Sequence, residues 1–344
     1  MEDIVHRQLE TYLLNHDVHK VLVICDEKLV TLYPDYFEIQ YFKQKNIEFH
    51  FFSIQASEEQ KSMNNVMLIF DYLIENEFDK GSLIINWGGG IISDIGGFVA
   101  AFYKRGLRLI NIPTTLLAMV DAAHGGKNGV NFHHIKNGLG AIYFPDLVIL
   151  NSQFLDTLSD EEFLSGLGEL IKSVLLGIPT LWNDIVLKKN NIESIKKWVT
   201  DELIQKVADS KNRIVKMDPQ DNGIRQILNF GHTIGHALES YYMSQQTEIS
   251  HGYAVAIGIY YETKLSHHLG FLHQTEMEQI TAYIQKLYSI PVFSEEMVNQ
   301  LIPLIYQDKK NRSGIIKVTV LNAVGDPVPS ISVKEDQIKA ILLN

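Results

Sequence analysis

The chain has 344 residues, 46% of them hydrophobic and 21% charged, an ordinary globular composition for about two domains that excludes a disordered, collagen-like or disulfide-stapled protein. Its 41 acidic and 30 basic residues leave a formal charge of −11, so neither nucleic acid nor an anionic membrane surface is an expected partner, both being polyanions. Cys25 is the single cysteine, which excludes an internal disulfide and fits a reducing, cytoplasmic setting. The opening MEDIVHRQLE lacks the basic and apolar regions of a signal peptide, and no apolar stretch nears the roughly 20 residues of a membrane span.

In chain order, the runs at 19–25 (HKVLVIC) and 46–54 (NIEFHFFSI) read as strands. Apolar residues at helical spacing (Val66, Ile69, Phe70, Leu73) predict a helix over 64–78. SLII at 82–85 is a further strand, followed by Gly88-Gly89-Gly90 and a helix over 94–103. LRLINI at 107–112, closed by Pro113, and LVIL at 147–150 complete the strands of this half. Short, nearly continuous apolar strands separated by helices predict a parallel sheet covered on both faces, an α/β Rossmann-like layout. From Thr157 the pattern becomes helical, over 160–176, 192–215, 233–242 and 254–268, with one late strand at 315–321. Thr157-Leu158-Ser159 before Asp160-Glu161-Glu162 is a helix start, a hydroxyl cap with acids in the first turn. The expected organisation is an α/β domain at 1–151 and a mostly helical domain at 152–344.

Several features could carry chemistry. Asn86 to Asp94 (NWGGGIISD) follows a strand and opens a helix, where glycines and a helix N-terminus suit a pyrophosphate; a plain tight turn is the other reading. Glu58 and Lys61 in SEEQK read as solvated loop. Pro113-Thr114-Thr115 ends a strand, with Asp121 beyond. Lys127 and Lys136-Asn137 sit in a glycine-rich stretch, either an exposed loop or an anion-capturing one with lysines as point charges. Glu169 and Lys172, in GELIKS, share a helix face as a surface ion pair or as part of a site. Asn229-Phe-Gly-His232-Thr-Ile-Gly-His236 puts two histidines on one helix face, and His251 follows in HGYAVAIG. Two or three histidines with one glutamate suit Zn²⁺, although spacing alone does not choose the ligands.

Taken together, GGGIISDIGGF, RGLRLINIPTTLLAMVDAAHGGKNGVN, KNGLGAIYFP, GELIK, GIRQILNFGHTIGHALE, HGYAVAIG and DKKNRSG resemble, in order and spacing, the 3-dehydroquinate synthases among the sugar-phosphate cyclases. The resemblance implies an NAD-binding first domain and a metal- and substrate-binding second one. Glu169, His232 and His251 would ligate Zn²⁺ or Co²⁺. Glu58, Lys61, Gly90 to Asp94, Thr114, Thr115, Lys127, Lys136 and Phe154 to Thr157 would hold NAD⁺. Asp121, Asn137, Lys172, Lys211, Arg225, Asn229 and Lys310 would surround the substrate, with Arg225 and Lys211 on its carboxylate. His236 would meet the substrate phosphate, as would Arg105, from the neighbouring subunit of a homodimer.

The implied reaction is a lyase step of the shikimate pathway, in aromatic amino-acid biosynthesis. It converts 3-deoxy-D-arabino-heptulosonate 7-phosphate, a small anionic sugar-phosphate acid, into 3-dehydroquinate and phosphate. A sister sugar-phosphate cyclase, an NAD- and metal-dependent polyol dehydrogenase and a non-catalytic sensor are the competing readings. The chain departs from the usual family pattern at His124, Asn128, Gly168, Ser173 and Tyr253. His124 and Asn128 fall in the loop expected to line the cofactor and substrate site, which leaves room for a changed substrate or reduced activity.

Overall fold

The apolar runs of the first half become the strands of one parallel sheet. A computed structural model describes residues 4–133, 135–188, 191–307 and 315–343, and the chain divides into two compact units, Met1–Leu158 and Ser159–Asn344.

In the first unit the strands are β1 (Lys20–Asp26), β2 (Glu48–Ile54), β3 (Leu83–Gly88), β4 (Arg108–Pro113), β5 (Lys127–Phe132), β6 (Ile135–Ile142) and β7 (Leu147–Val148). Five of them form a parallel sheet of order β2-β1-β3-β4-β7, while β5 and β6 make an antiparallel hairpin. The helices are α1 (Ile4–Asn15), α2 (Glu27–Leu32), α3 (Ile39–Gln44), α4 (Met63–Glu75) and α5 (Gly90–Phe102). Alternate strand residues Leu22, Ile24 and Ile84 pack on Val66, Ile69 and Leu73 of α4 and on Ile92, Ile95 and Val99 of α5. On the opposite face Trp87 stacks on Tyr36, their ring centroids 5.2 Å apart, with Phe154 at the edge of this cluster. Both faces of β3 are thus covered, which explains its unbroken apolar run. Phe154 also explains why the division falls at Leu158 rather than at 151: the 3₁₀ turn Ser152–Thr157 is tied to the first unit by that ring.

The second unit contains α6 (Asp160–Gly177), α7 (Pro179–Lys188), α8 (Ile192–Lys196), α9 (Asp201–Met217), α10 (His232–Ser244), α11 (His251–His268), α12 (Gln274–Leu287), α13 (Glu295–Gln307) and α14 (Glu335–Leu342). Strands β8 (Ile316–Ala323) and β9 (Asp326–Val333) form an antiparallel hairpin. Its core joins Leu238 of α10, Ile257, Tyr261 and Leu265 of α11, Leu301 of α13 and Val320 of β8. Ser159 caps α6 through its hydroxyl, which accepts from the Glu162 N–H, as the Thr157–Glu162 pattern predicts. No helix among the described residues is long and apolar enough to cross a membrane.

The structure corrects several boundaries. The helix expected over 94–103 starts at Gly90, because the glycine turn itself is the helix start. The one expected over 64–78 ends at Glu75, and the last strand keeps only Leu147–Val148. The helix expected over 192–215 is two: Asn191 and Ser194 form a capping box on α8, and Thr200 caps a separate α9. The glycine-rich stretch around Lys127 and Lys136 is the β5–β6 hairpin rather than a loop.

Candidate functional site

The glycines of the second unit let its helices approach closely beside the charged residues. A Cβ on Gly168 would lie 2.1 Å from the carbonyl oxygen of Gly252, and one on Gly252 would lie 1.6 Å from that of Ser165. Helices α6 and α11 therefore cross at these two positions, next to Glu169 and His251. This gives Gly168, one of the departures from the family pattern, a packing reason.

At the crossing Glu169 is 0% exposed and Lys172 2%, with the lysine ammonium in direct contact with Glu169 Oε2; the surface ion-pair reading is overturned by this burial. Glu169 Oε1 lies 3.5 Å from His232 Nε2 and 3.3 Å from His251 Nε2. Two atoms about 2.0–2.1 Å from one ion at a tetrahedral angle stand about 3.3–3.4 Å apart, so the spacing fits a single Zn²⁺-like cation. The three ligand atoms all lie within 4.8 Å of one another. His236 lies beside the cluster, its ring centroid 5.1 Å from that of His232, but is itself exposed.

The far side of His251 meets Glu239, with Nδ1 3.2 Å from Oε2. Burial favours the neutral ring, but the Glu239 charge and the hydrogen bonds the ring donates to Glu169 and Glu239 outweigh it and push His251 up to about 10. A cation taking this ring must displace its proton. Glu239 is a carboxylate oriented on a candidate ligand histidine, a common arrangement in metal sites, and with His236 and His251 it makes a second group whose candidate ligand atoms lie within 4.8 Å of one another. Its sequence signal was its place seven residues after His232, on the same helix face two turns on.

Two further cations are buried in this unit, Lys211 at 6% exposure and Arg225 at 3%. The Arg225 guanidinium donates to Pro219 O at 3.0 Å. The turn before it is built by Asp218, whose carboxylate accepts from the N–H groups of Asn222, Gly223 and Arg225; these contacts hold its carboxyl below the usual carboxylate range, against the desolvation that raises it. Asp218, like Glu262 of α11, is a supporting residue that motif reading passed over, since acids capping backbone N–H groups leave no fixed spacing. Asn229 ends the 3₁₀ turn before Gly231, half-buried. Lys310 lies outside the described residues.

In the first unit the strand order reverses direction between β1 and β3, and ligands of open α/β sheets bind at the carboxyl ends of strands beside such a point. There Gly88 to Gly90 lead into α5, and Gly89 packs against Thr115, whose side chain would meet its Cβ at 3.1 Å. Thr114 N–H donates to Gly88 O, bringing the threonine pair onto the glycine turn. Lys61, also buried, contacts Asp94 of α5 and donates to Asn137 Oδ1 at 2.6 Å. Burial raises the Asp94 pKa, with Lys61 opposing it. Asn131 joins Glu58 and Asn137, donating to Glu58 Oε1 at 2.8 Å and accepting from Asn137 N–H at 2.8 Å. Glu58, Lys61, Asp94 and Asn137 thus form one network through Asn131; the solvated-loop reading fails for the buried Lys61, while Glu58 does stand exposed in a turn.

Not every expected residue joins that network. Lys127 pairs with Ile142 and Lys136 follows the Phe132–Ile135 pair, so the two lysines occupy opposite ends of the hairpin. At about 3.3 Å per residue they stand roughly 16 Å apart along it, too far to grip one phosphate together. Thr157 Oγ1 meets Tyr33 Oη at 3.0 Å, and Phe154 is buried beneath. Asp121 lies half-buried in a single π-helical turn, Ala118–Ala122, and Arg105 is exposed with φ +66°.

The remaining departures are bonded within their own units. His124 Nε2 meets Met119 O at 2.8 Å across the π-turn. Asn128 Nδ2 donates to Gly126 O and Tyr143 O at 3.0 and 2.7 Å. Tyr253 accepts the Ser289 N–H at 2.8 Å. Nothing in the structure explains Ser173, whose hydroxyl is buried without a partner among the described residues.

A parallel-sheet unit followed by a mostly helical unit is the fold of solved sugar-phosphate cyclases. The 2-epi-5-epi-valiolone synthase of Streptomyces hygroscopicus, solved with NAD⁺ and Zn²⁺ bound, superposes with a TM-score of 0.86 at 25% identity over 99% of this chain and 94% of its own. The sequence models of the 3-dehydroquinate synthase N-terminal and C-terminal regions match residues 51–165 and 166–311. The 3-dehydroquinate synthase of Parabacteroides distasonis is 40% identical over 285 residues, 83% of this chain and 80% of that protein. That of Clostridium tetani is 36% identical over 98% of this chain and 89% of its own. The chain belongs to the 3-dehydroquinate synthase family.

Proposed function

We propose that the protein is a carbon–oxygen lyase that converts 3-deoxy-D-arabino-heptulosonate 7-phosphate into 3-dehydroquinate and phosphate. The observation that carries this reading is the buried group of Glu169, Lys172, His232 and His251, in the same unit as two further buried cations, Lys211 and Arg225. Lysine and arginine side chains gathered in one unit make the field around them more positive, which suits a substrate that is both an acid and a phosphate.

Glu169, His232 and His251 would hold Zn²⁺ or Co²⁺, and Glu58, Lys61, Gly90, Asp94, Thr114, Thr115, Lys127, Lys136, Phe154 and Thr157 would hold NAD⁺. When bound, the ion makes a substrate alcohol more acidic, and NAD⁺ takes and later returns a hydride, so no net redox change results. The residues of the chain bind and orient. Lys172 sits on the second oxygen of Glu169, which leaves the first to face the two imidazoles. Arg225 and Lys211 take the substrate carboxylate. His236 takes the phosphate, with Arg105 joining it from the neighbouring subunit of a homodimer. Asp121, Asn137, Asn229 and Lys310 would complete the polar surroundings. The ketone formed in the first step acidifies the neighbouring C–H, and the departing phosphate is itself the base that takes this proton. Fixed cations in a dry site then supply most of the catalysis. The setting this implies is the cytoplasm.

Purified protein incubated with this substrate, NAD⁺ and Zn²⁺ should release phosphate and form 3-dehydroquinate without accumulating free NADH. Turnover of a sugar phosphate lacking the carboxylate, with none of the acid, would assign it to a sister cyclase instead. Accumulating NADH would mark a dehydrogenase.

A further inference from the structure

Helix α11 carries a single acid, Glu262, at 0% exposure just after the apolar run 254–261. Its carboxylate accepts three backbone N–H groups, from Gly231 at 2.7 Å, Thr233 at 2.9 Å and Ile234 at 3.2 Å. These are the amides that the start of α10 leaves without helical partners. The cap position is Gly231, at φ +81°, which has no side chain to satisfy them. A Cβ on Gly258, one turn before Glu262, would lie 1.8 Å from Gly231 O. The start of α10 is therefore clamped onto α11 by a tight glycine contact and a buried carboxylate. The first residue of α10 is His232, and the first of α11 is His251.

A buried carboxylate is expensive unless it is hydrogen-bonded, and three N–H donors with the positive end of a helix offset that cost. A serine or asparagine at the cap would satisfy one amide far more cheaply, but it would not tie one ligand-bearing helix to the other. We propose that Glu262 is a positioning residue of the metal centre, which fixes the start of α10 so that His232 Nε2 meets the same ion as Glu169 and His251. This rests on the metal reading given above.

The test is Zn²⁺ affinity of the full chain, by competition with a chromophoric chelator, at a temperature where circular dichroism shows each variant folded. Glu262→Gln keeps the volume but turns an amide NH₂ towards the backbone donors. It should weaken Zn²⁺ binding about 10- to 100-fold and lower kcat while leaving KM for NAD⁺ unchanged. Glu262→Asp keeps the charge and should lose less; it carries the test if the glutamine variant does not fold. Leu265→Ala, on the same helix and 1% exposed, should lower the melting temperature yet keep the parent affinity. Parent-like affinity in the foldable Glu262 variants, or an equal loss in Leu265→Ala, overturns the clamp. A parent chain that takes up no zinc overturns the metal reading and the clamp with it, so the two failures are distinct.

Discussion

In Met1–Leu158 most of the proposed dinucleotide contacts lie where strands end or on the β5–β6 hairpin, and Glu58, Lys127, Lys136, Asn137 and Thr157 are exposed. In Ser159–Asn344 the corresponding side chains project from packed helices or the turns between them, and Glu169, Lys172, Lys211, Arg225 and His232 are all buried. On the proposed reading the first unit would hold a large ligand through glycine-lined backbone and a polar network around Lys61. The second holds charges that only mutual contacts make tolerable. Damage to the second unit should therefore cost stability and chemistry together, while damage to the exposed contacts of the first should cost ligand affinity with the fold intact.

The sharpest way to break this contrast is Glu169→Gln. It weakens a ligand and leaves Lys172 beside a neutral amide, so unfolding free energy should fall by about 3–5 kcal/mol and kcat/KM by at least ~10³-fold. Denaturant titration and steady-state phosphate release would check both. Gly252→Ala comes next. The added methyl would collide with Ser165 O and force α6 and α11 apart, costing about 1–3 kcal/mol; bound zinc, measured by elemental analysis after dialysis, should drop. Lys61→Met leaves Asp94 without its cation, so it should lower the stability of the first unit while leaving the second in place, and raise KM for NAD⁺ about 10- to 100-fold, the loss of a charge-assisted contact. The smallest effect belongs to His124→Ala, which removes one hydrogen bond across the π-turn and should cost about 1 kcal/mol, with both KM values unchanged. A large rise in KM there would make His124 a substrate contact.

Where a pattern depends on neighbours in sequence, the fold was legible. The apolar runs of β1 and β3 read as fully covered strands because both faces are in fact covered, and the hydroxyl cap of α6 read correctly because capping is local. The β5–β6 hairpin was missed because its glycines and polar residues imitate a loop, and its turn carries no Asn-Gly signal. The break between α8 and α9 was hidden under a continuous helical period. In the site, the three candidate ligands stood out as residue types, yet spacing could not choose between His236 and His251. The approach of α11 to α6 at Gly168 and Gly252, a tertiary fact, is what brings His251 to Glu169, while His236 groups with Glu239 and His251. Glu262 is invisible for the same reason, since an acid that supports a ligand from another helix has no motif of its own, whereas Glu239 is marked only by its helical offset from His232.

If Glu169, His232 and His251 share one divalent ion, anomalous diffraction from crystals grown with zinc should show a single strong peak about 2.0–2.2 Å from Glu169 Oε1, His232 Nε2 and His251 Nε2. A peak seated elsewhere, or no peak while these three side chains keep the present spacing, would contradict it.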